Sequence, residues 1–325
     1  MTRGMFVCVC AFTFAALLVA APQARSADYP NRPIRLVVPY PPGGGTDVAA
    51  RRLGEEMGKA LGQRIVVENV GGAGGLLGMQ QVGRAEPNGY TLVLGLTAQF
   101  AVNPSLFQNL PYDPVNDYEP IALLAAAPYI LVVNPDLPVR SVKDLIELAR
   151  KQTDKLSYAS AGNGSGAHLS AELLKGLAGI DMVHVPYKGA GAAYTDLLAG
   201  RVPLMFSTYA PIAGHLAAGK LRAIAVSTQQ RAPGLNDVPA ISETLPGYRS
   251  DVWYVLAAPA GAPKDIVARL NAEALTALKS PAIAKQFADD LVQAIGSRPD
   301  EVKPFIVSEI AKWGDVVKKS GAHIQ

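Results

Sequence analysis

Cysteine is nearly missing from these 325 residues, and the two present, Cys8 and Cys10, both fall in the first apolar stretch. With that stretch set aside, disulfides, thiolate metal sites and cysteine nucleophiles are excluded. Histidine is confined to His168, His184, His215 and His323, too scattered to form a metal-ligand cluster. No Walker signature is present, and the glycine run Gly71–Gly78 departs from the dinucleotide fingerprint in spacing. No acidic residue follows it at the expected distance, so no cofactor is expected. Charged residues make up only 18% of the chain. After Ala21 no apolar run reaches membrane-spanning length, because Pro, Gly or charge interrupts each one.

What the chain does have begins with a leader. Arg3 precedes an apolar run from Met5 to Ala21 and a small-residue zone through Ala27. This is the pattern of a secretory signal, residues 1–27, with cleavage expected between Ala24 and Ala27. A membrane anchor is the competing reading, for which the run is only about long enough. The leader holds Arg3 and Arg25 but no acidic residue, leaving 28 basic against 27 acidic residues, a net of +1. Nothing in that balance points to nucleic acid or an anionic membrane. The remaining length predicts two domains. Low charge with abundant Ala, Gly, Val and Leu fits an α/β protein with buried parallel strands.

Strand and helix patterns alternate. Strands are predicted at Ile34–Tyr40, Ile65–Val70, Thr91–Leu96, Tyr129–Val133, Leu156–Ser160, Met182–Pro186, Leu204–Ser207 and Leu221–Ser227. Helices are predicted at Asp47–Leu61, Gly75–Arg84, Val142–Lys151, Ala167–Leu177 and Ala192–Leu198. Such alternation predicts parallel sheets with right-handed crossovers. After Pro263 the pattern changes to three helices, Asp265–Leu278, Pro281–Leu291 and Pro299–Lys319, which cover existing sheet rather than build a domain. Asp251–Ala258 reads as a strand returning to the first domain, with Tyr129–Val133 as the outgoing crossover. On this reading residues 28–128 and 252–325 form a discontinuous lobe 1, residues 129–251 form lobe 2, and two strands make a hinge. Two consecutive continuous domains are the alternative.

The stretch Ile34–Asp47, IRLVVPYPPGGGTD, carries the chemistry. A buried strand ends at a Pro-Gly turn that opens a helix, with Thr46 or Asp47 as its cap. Unpaired N–H groups and the positive end of the helix dipole then face one point, which is a receptor for an anion without Lys or Arg. Candidate contacts are Tyr40, Pro42, Gly43, Gly44 and Thr46, with Asp47 better read as a cap. The same device recurs in SAGNGSGAH, where Ser160, Gly162, Ser165 and His168 are candidates, and at Tyr187, Gly189 and Ala190, beside Lys188. Thr97 and Ala98 follow a strand end, where ligands of open α/β sheets gather. Ser165 lacks the G-x-S-x-G frame of a nucleophile elbow, since Asn163 stands two residues before it.

These pieces, in order, carry a resemblance. RPIRLVVPYPPGGGTD is joined by VVENVGGAGGLLG at Val66–Gly78, PNGYTL at Pro87–Leu92, SAGNGSGAHL at Ser160–Leu169, VPYKGAGAAYTDLLAG at Val185–Gly200 and APAGAP at Ala258–Pro263. Together they resemble the substrate-binding proteins of the tripartite tricarboxylate transporter family, also called Bug receptors. The resemblance implies an α/β fold of the two-lobed periplasmic binding protein kind, a type II-like Venus flytrap of two Rossmann-like domains joined by two crossover strands. It implies a periplasmic, monomeric receptor holding a small carboxylate, dicarboxylate, tricarboxylate or aromatic acid, largely through backbone amides. Its partners would be membrane permease subunits, which in some relatives are absent or shared. Ser207 stands where the family often has an acidic pocket residue, which disfavours a ligand with an ammonium group. An exported serine hydrolase using Ser165 or Ser160, and a ligand sensor for a membrane kinase, are the rival functions.

Overall fold

The computed structural model describes residues 29–320 except 43–44, 152–155 and 188. The expected signal, residues 1–27, lies outside the described residues, as do Gly43, Gly44, Lys188 and His323. Among the described residues no helix is long and apolar enough to cross a membrane.

The chain opens with β1 (Ile34–Val38), α1 (Gly45–Leu61), β2 (Ile65–Asn69), α2 (Leu76–Gly83) and β3 (Thr91–Leu96). β1 stops at Val38 rather than Tyr40, because Pro39 and Pro41 offer no N–H to a ladder. β1 pairs in parallel with β2 and β3, and three of its residues, Ile34, Val37 and Val38, are fully buried. After β3 the chain does not form a loop. It continues through a π-helical turn, Ala98–Val102, into the short helix α3 (Asn103–Leu106).

β4 (Tyr118–Pro128) is the longest strand, and the sequence pattern assigned no element there. Its run YEPIALLAAAP is rich in alanine and has no period of two, so its strand state comes from partners on both sides. One step beyond Pro128, β5 (Ile130–Val133) belongs to a second sheet. There follow α4 (Val142–Lys151), β6 (Ser157–Ser160), α5 (Gly166–Ala178), β7 (Val183–Pro186) and α6 (Ala190–Leu198). Then come β8 (Leu204–Ser207), α7 (Ala213–Ala217) and β9 (Arg222–Val226). The chain returns in β10 (Asp251–Pro259) and ends with α8 (Lys264–Leu278), α9 (Pro281–Asp289), β11 (Gln293–Ala294) and α10 (Pro299–Ser320). α9 closes two residues before the predicted Leu291, which itself sits at φ 57°, in the left-handed region.

The first sheet has the order β11-β4-β10-β3-β1-β2, the second β7-β6-β8-β5-β9. Both are mixed, against the expectation of parallel sheets. β10 runs antiparallel to β3 and β4, and β5 antiparallel to β8 and β9. The physical reason is that β5 and β10 enter from the other sheet rather than through a crossover helix, so nothing forces them parallel. The expected three-helix tail does cover existing sheet, with α8 against β4 and α1, and α10 against β4 and α5.

The two crossings are stitched together. Tyr129 N donates to Ser227 Oγ at 2.8 Å, Ser227 N donates to Tyr129 O at 2.8 Å, and Ser250 N donates to Ser227 O at 3.0 Å. Ser227 Oγ in turn donates to Ser250 O. Leu96, Ala127 and Val252 form a small apolar cluster at this crossing, with Tyr40, Tyr129, Tyr254 and Val292 packed on it.

Candidate functional site

Above that apolar cluster lies a cavity of about 660 Å³. Three helices aim their N-termini at it: Gly45 and Thr46 open α1, Ser165 and Gly166 open α5, and Gly189 and Ala190 open α6, all on the cavity wall. The first N–H groups of a helix have no intrahelical acceptor, so each start offers donors to whatever occupies the space.

Local sequence explains these starts. Ser165 is the N-cap of α5, its Oγ accepting from His168 N at 3.3 Å, which leaves the donors of Gly166 and Ala167 unspent. Gly189 is the N-cap of α6 at φ 108°, ψ 160°, a conformation for glycine alone, and no side chain caps that helix. The turn before α5 also lies hard against Tyr129 at the crossing and against Leu106 of α3. A Cβ on Gly166 would fall 1.9 Å from the Tyr129 hydroxyl, and one on Gly164 would fall 2.1 Å from Leu106 Cδ2.

Of the sequence-predicted contacts, Tyr40, Thr46, Thr97, Ala98, Ser165, Gly189 and Ala190 line the cavity. Gly43 and Gly44 lie outside the described residues. Pro42, Asp47, Ser160, Gly162, His168, Tyr187 and Ser207 are not on the wall. Asp47 is 5% exposed and pairs with Arg51 at 2.9 Å, one turn along α1. Ser160 is fully buried, its hydroxyl shared between Gly162 O at 3.0 Å and His184 Nε2 at 2.6 Å. His168 accepts from Gly164 N through Nδ1 at 3.0 Å and stacks on His184 with ring centres 3.9 Å apart. Burial pushes both imidazoles down to about 4, which keeps them neutral near pH 7. The Tyr187 hydroxyl donates to Asp196 at 2.6 Å. Ser207 is 2% exposed, bonded to the Tyr194 hydroxyl at 2.9 Å and donating to Thr208 O at 2.8 Å. Thr208, the next residue, reaches the wall instead.

The structure adds residues that sequence reasoning did not assign. Tyr129 and Tyr254 flank the crossing, Asn163 sits inside the second glycine turn, and α9 supplies one whole side. Asn163 had a local signal in SAGNGSGAH, whereas the α9 residues had none, since only packing brings them to the cavity. Burial raises the Tyr40, Tyr129 and Tyr254 hydroxyls, Tyr254 to about 12, so all stay protonated as donors. Gln99 Nε2 donates to the Tyr40 hydroxyl at 2.9 Å and holds it in place. Asp251 is 6% exposed. Burial raises its carboxyl, opposed by Arg249 paired at 2.7 Å.

Chemically, the site offers backbone N–H and side-chain hydroxyl donors, with Asp251 and Asp290 as the acidic side chains on its described wall. No Lys or Arg stands among the described lining residues. A serine nucleophile lacks support, because Ser165 Oγ is engaged as a cap acceptor and Ser160 has no access to the cavity. Among the described residues, no group of three or more His, Cys, Asp or Glu is placed to hold a metal.

Known proteins resemble this chain along nearly its whole length. The family profile for the tripartite tricarboxylate transporter family receptor matches residues 49–322. Protein BugT of Bordetella pertussis is 36% identical over 310 residues, covering 94% of each chain. The structure of Rpa4515 from R. palustris with adipate is similar at a TM-score of 0.82 and 35% identity, across 91% of this chain and 100% of that one. MatC from Rhodopseudomonas palustris, with bound malate, reaches a TM-score of 0.77 at 36% identity, across 89% and 100%. These matches, with two mixed sheets joined by two stitched crossings, bear out the two-lobed periplasmic binding protein fold. The chain belongs to the tripartite tricarboxylate transporter receptor family.

Proposed function

We propose that this chain is a periplasmic receptor that binds a small organic carboxylate between two lobes and passes it to a membrane permease. The lobes are residues 28–128 with 252–325, and residues 129–251. The observation that carries this reading is the convergence of three helix N-termini on one cavity whose described walls hold no cationic side chain. Burying a carboxylate costs several kcal/mol without partners. Charge-assisted bonds from backbone amides, at roughly 1.5–3 kcal/mol each, offset that cost when several act together. α1 belongs to the first sheet's layer, α5 and α6 to the second's, so only a closed form lets all three reach one anion. A ligand with that preference shifts the population toward closure. The adipate and malate held by relatives support an acid as ligand.

A thermal-shift screen of the purified protein against mono-, di-, tri- and aromatic carboxylates tests the reading. An acid at a hundredfold excess over its Kd stabilises by about 2.7 kcal/mol. The Ser165→Ala variant, with its α5 cap removed, should show a smaller shift with the same acid. If no acid raises the melting temperature, and mass spectrometry of the denatured protein's supernatant finds none carried through purification, the receptor reading is wrong.

A further inference from the structure

The turn that opens α5 carries a second kind of chemistry. The chain has two Asn-Gly pairs, Asn88–Gly89 and Asn163–Gly164. In such a pair the glycine nitrogen can attack the preceding side-chain carbonyl carbon, because no Cβ crowds the approach. Asparagine is a thermolabile residue. The two pairs are held differently. The Asn88 amide is engaged at both ends: Oδ1 accepts from Tyr90 N at 3.1 Å and Nδ2 donates to Glu86 at 2.9 Å. Asn163 is exposed and borders the cavity, and among the described residues no hydrogen bond holds its side chain.

Asn163 also has a base beside it. Gly164 N donates to His168 Nδ1 at 3.0 Å, within reach for proton transfer. The ring is fixed by its stack on His184, with centres 3.9 Å apart, and the turn is closed by Ser165 N donating to Gly162 O at 3.2 Å. Because Nδ1 accepts, it carries no proton of its own, and burial keeps the imidazole neutral near pH 7. A resting amide N–H is a poor acid and becomes a far stronger one as its nitrogen bonds to carbon. The transfer therefore accompanies the attack.

We propose that Asn163 is a site of spontaneous deamidation with His168 as its general base. Gly164 N bonds to Asn163 Cγ as its proton passes to His168 Nδ1. The Cγ–Nδ2 bond then breaks, and the leaving nitrogen takes that proton and departs as ammonia. Water opens the resulting succinimide to aspartate or isoaspartate. Either product adds an anion to a wall whose described residues include no Lys or Arg. Resting on the receptor reading above, the modified protein binds acids more weakly.

Peptide mass spectrometry of the purified protein aged at pH 8 reads the conversion without any ligand. In the folded protein Asn163 should deamidate faster than Asn88 by about fivefold or more, and in guanidinium the two should age alike, since unfolding removes the base. His168→Asn keeps an acceptor for Gly164 N but no base, and should slow Asn163 by about fivefold or more. Folded Asn163 ageing no faster than Asn88, or no slower in His168→Asn, would overturn the proposal. Thermal shifts and titrations with adipate, malate, citrate and benzoate read the consequence. Asn163→Asp should weaken the acids that bind by about tenfold or more relative to Asn163→Ser. Equal affinities would overturn the effect on binding. If the parent binds none of the four, and none was carried through purification, the receptor reading fails while the mass data still decide the modification.

Discussion

At the scale of single residues, the stacked pair His168 and His184 sets a pH dependence. Their rings lie nearly parallel, with Tyr158 stacked beyond His184 at 5.0 Å. Burial is the main cause that lowers both to about 4. The Lys175 charge adds to it for His168, and the neighbouring His168 adds to it for His184. The unfolded chain takes up a proton on each near pH 6.5. Because the folded pKa lies below the unfolded one, the unfolded state binds more protons between these values. Stability from this pair is therefore complete above pH 6.5 and declines as pH falls toward 4. Thermal melts from pH 7 to 5 should show this decline, and His184→Asn should flatten it while keeping an amide beside Ser160. A variant with the same slope as the parent would assign the loss to other groups.

At the scale of elements, Thr97 ties the end of β3 to the returning strand. Its Oγ1 donates to Asp251 O at 3.1 Å and accepts from Trp253 N at 2.9 Å. This hydroxyl serves the backbone of β10, some 150 residues away, and not its own turn. Thr97→Val keeps the shape and removes both bonds, leaving two buried backbone groups without partners. The cost should be about 1–3 kcal/mol in urea denaturation. A change below about 0.5 kcal/mol, ordinary for a surface substitution, would mean that the crossing does not depend on this tie. α10 braces the same region from behind: Glu309 accepts from the indoles of Trp253 and Trp313, each at 3.1 Å.

At the scale of the whole molecule, contacts between the two sheets' layers tie the lobes together. Gly164 lets the α5 turn touch Leu106 of the first sheet's layer on one side of the cleft. Leu291 works on the other side. It holds a left-handed backbone, which costs an L-residue roughly 1–2 kcal/mol, yet its side chain is buried among residues of the second sheet's layer. Replacing it with alanine keeps the strain and removes the contact. Small-angle scattering of ligand-free Leu291→Ala should give a larger radius of gyration than the parent, with an unchanged far-ultraviolet spectrum. Equal radii would show that Leu291 does not hold the lobes together.

The sequence alone determined the local units: β1, α1, β2, α2 and β3, the helices after Pro263, and the glycine turns that open α5 and α6. Each of these is written in a short window, as a hydrophobic period, a breaker or a cap, so neighbouring residues suffice to specify it. Tertiary structure alone decided that β4 is a strand, because an alanine-rich run with no period takes its state from β10 and β11 beside it. It also decided that β5 and β10 run antiparallel to their neighbours, that Ser160 and Ser207 are buried off the cavity wall while Thr208 is on it, and that Ile283 and Phe287 of α9 join that wall. These outcomes depend on groups far apart in the chain meeting in space, and no local window records such a meeting.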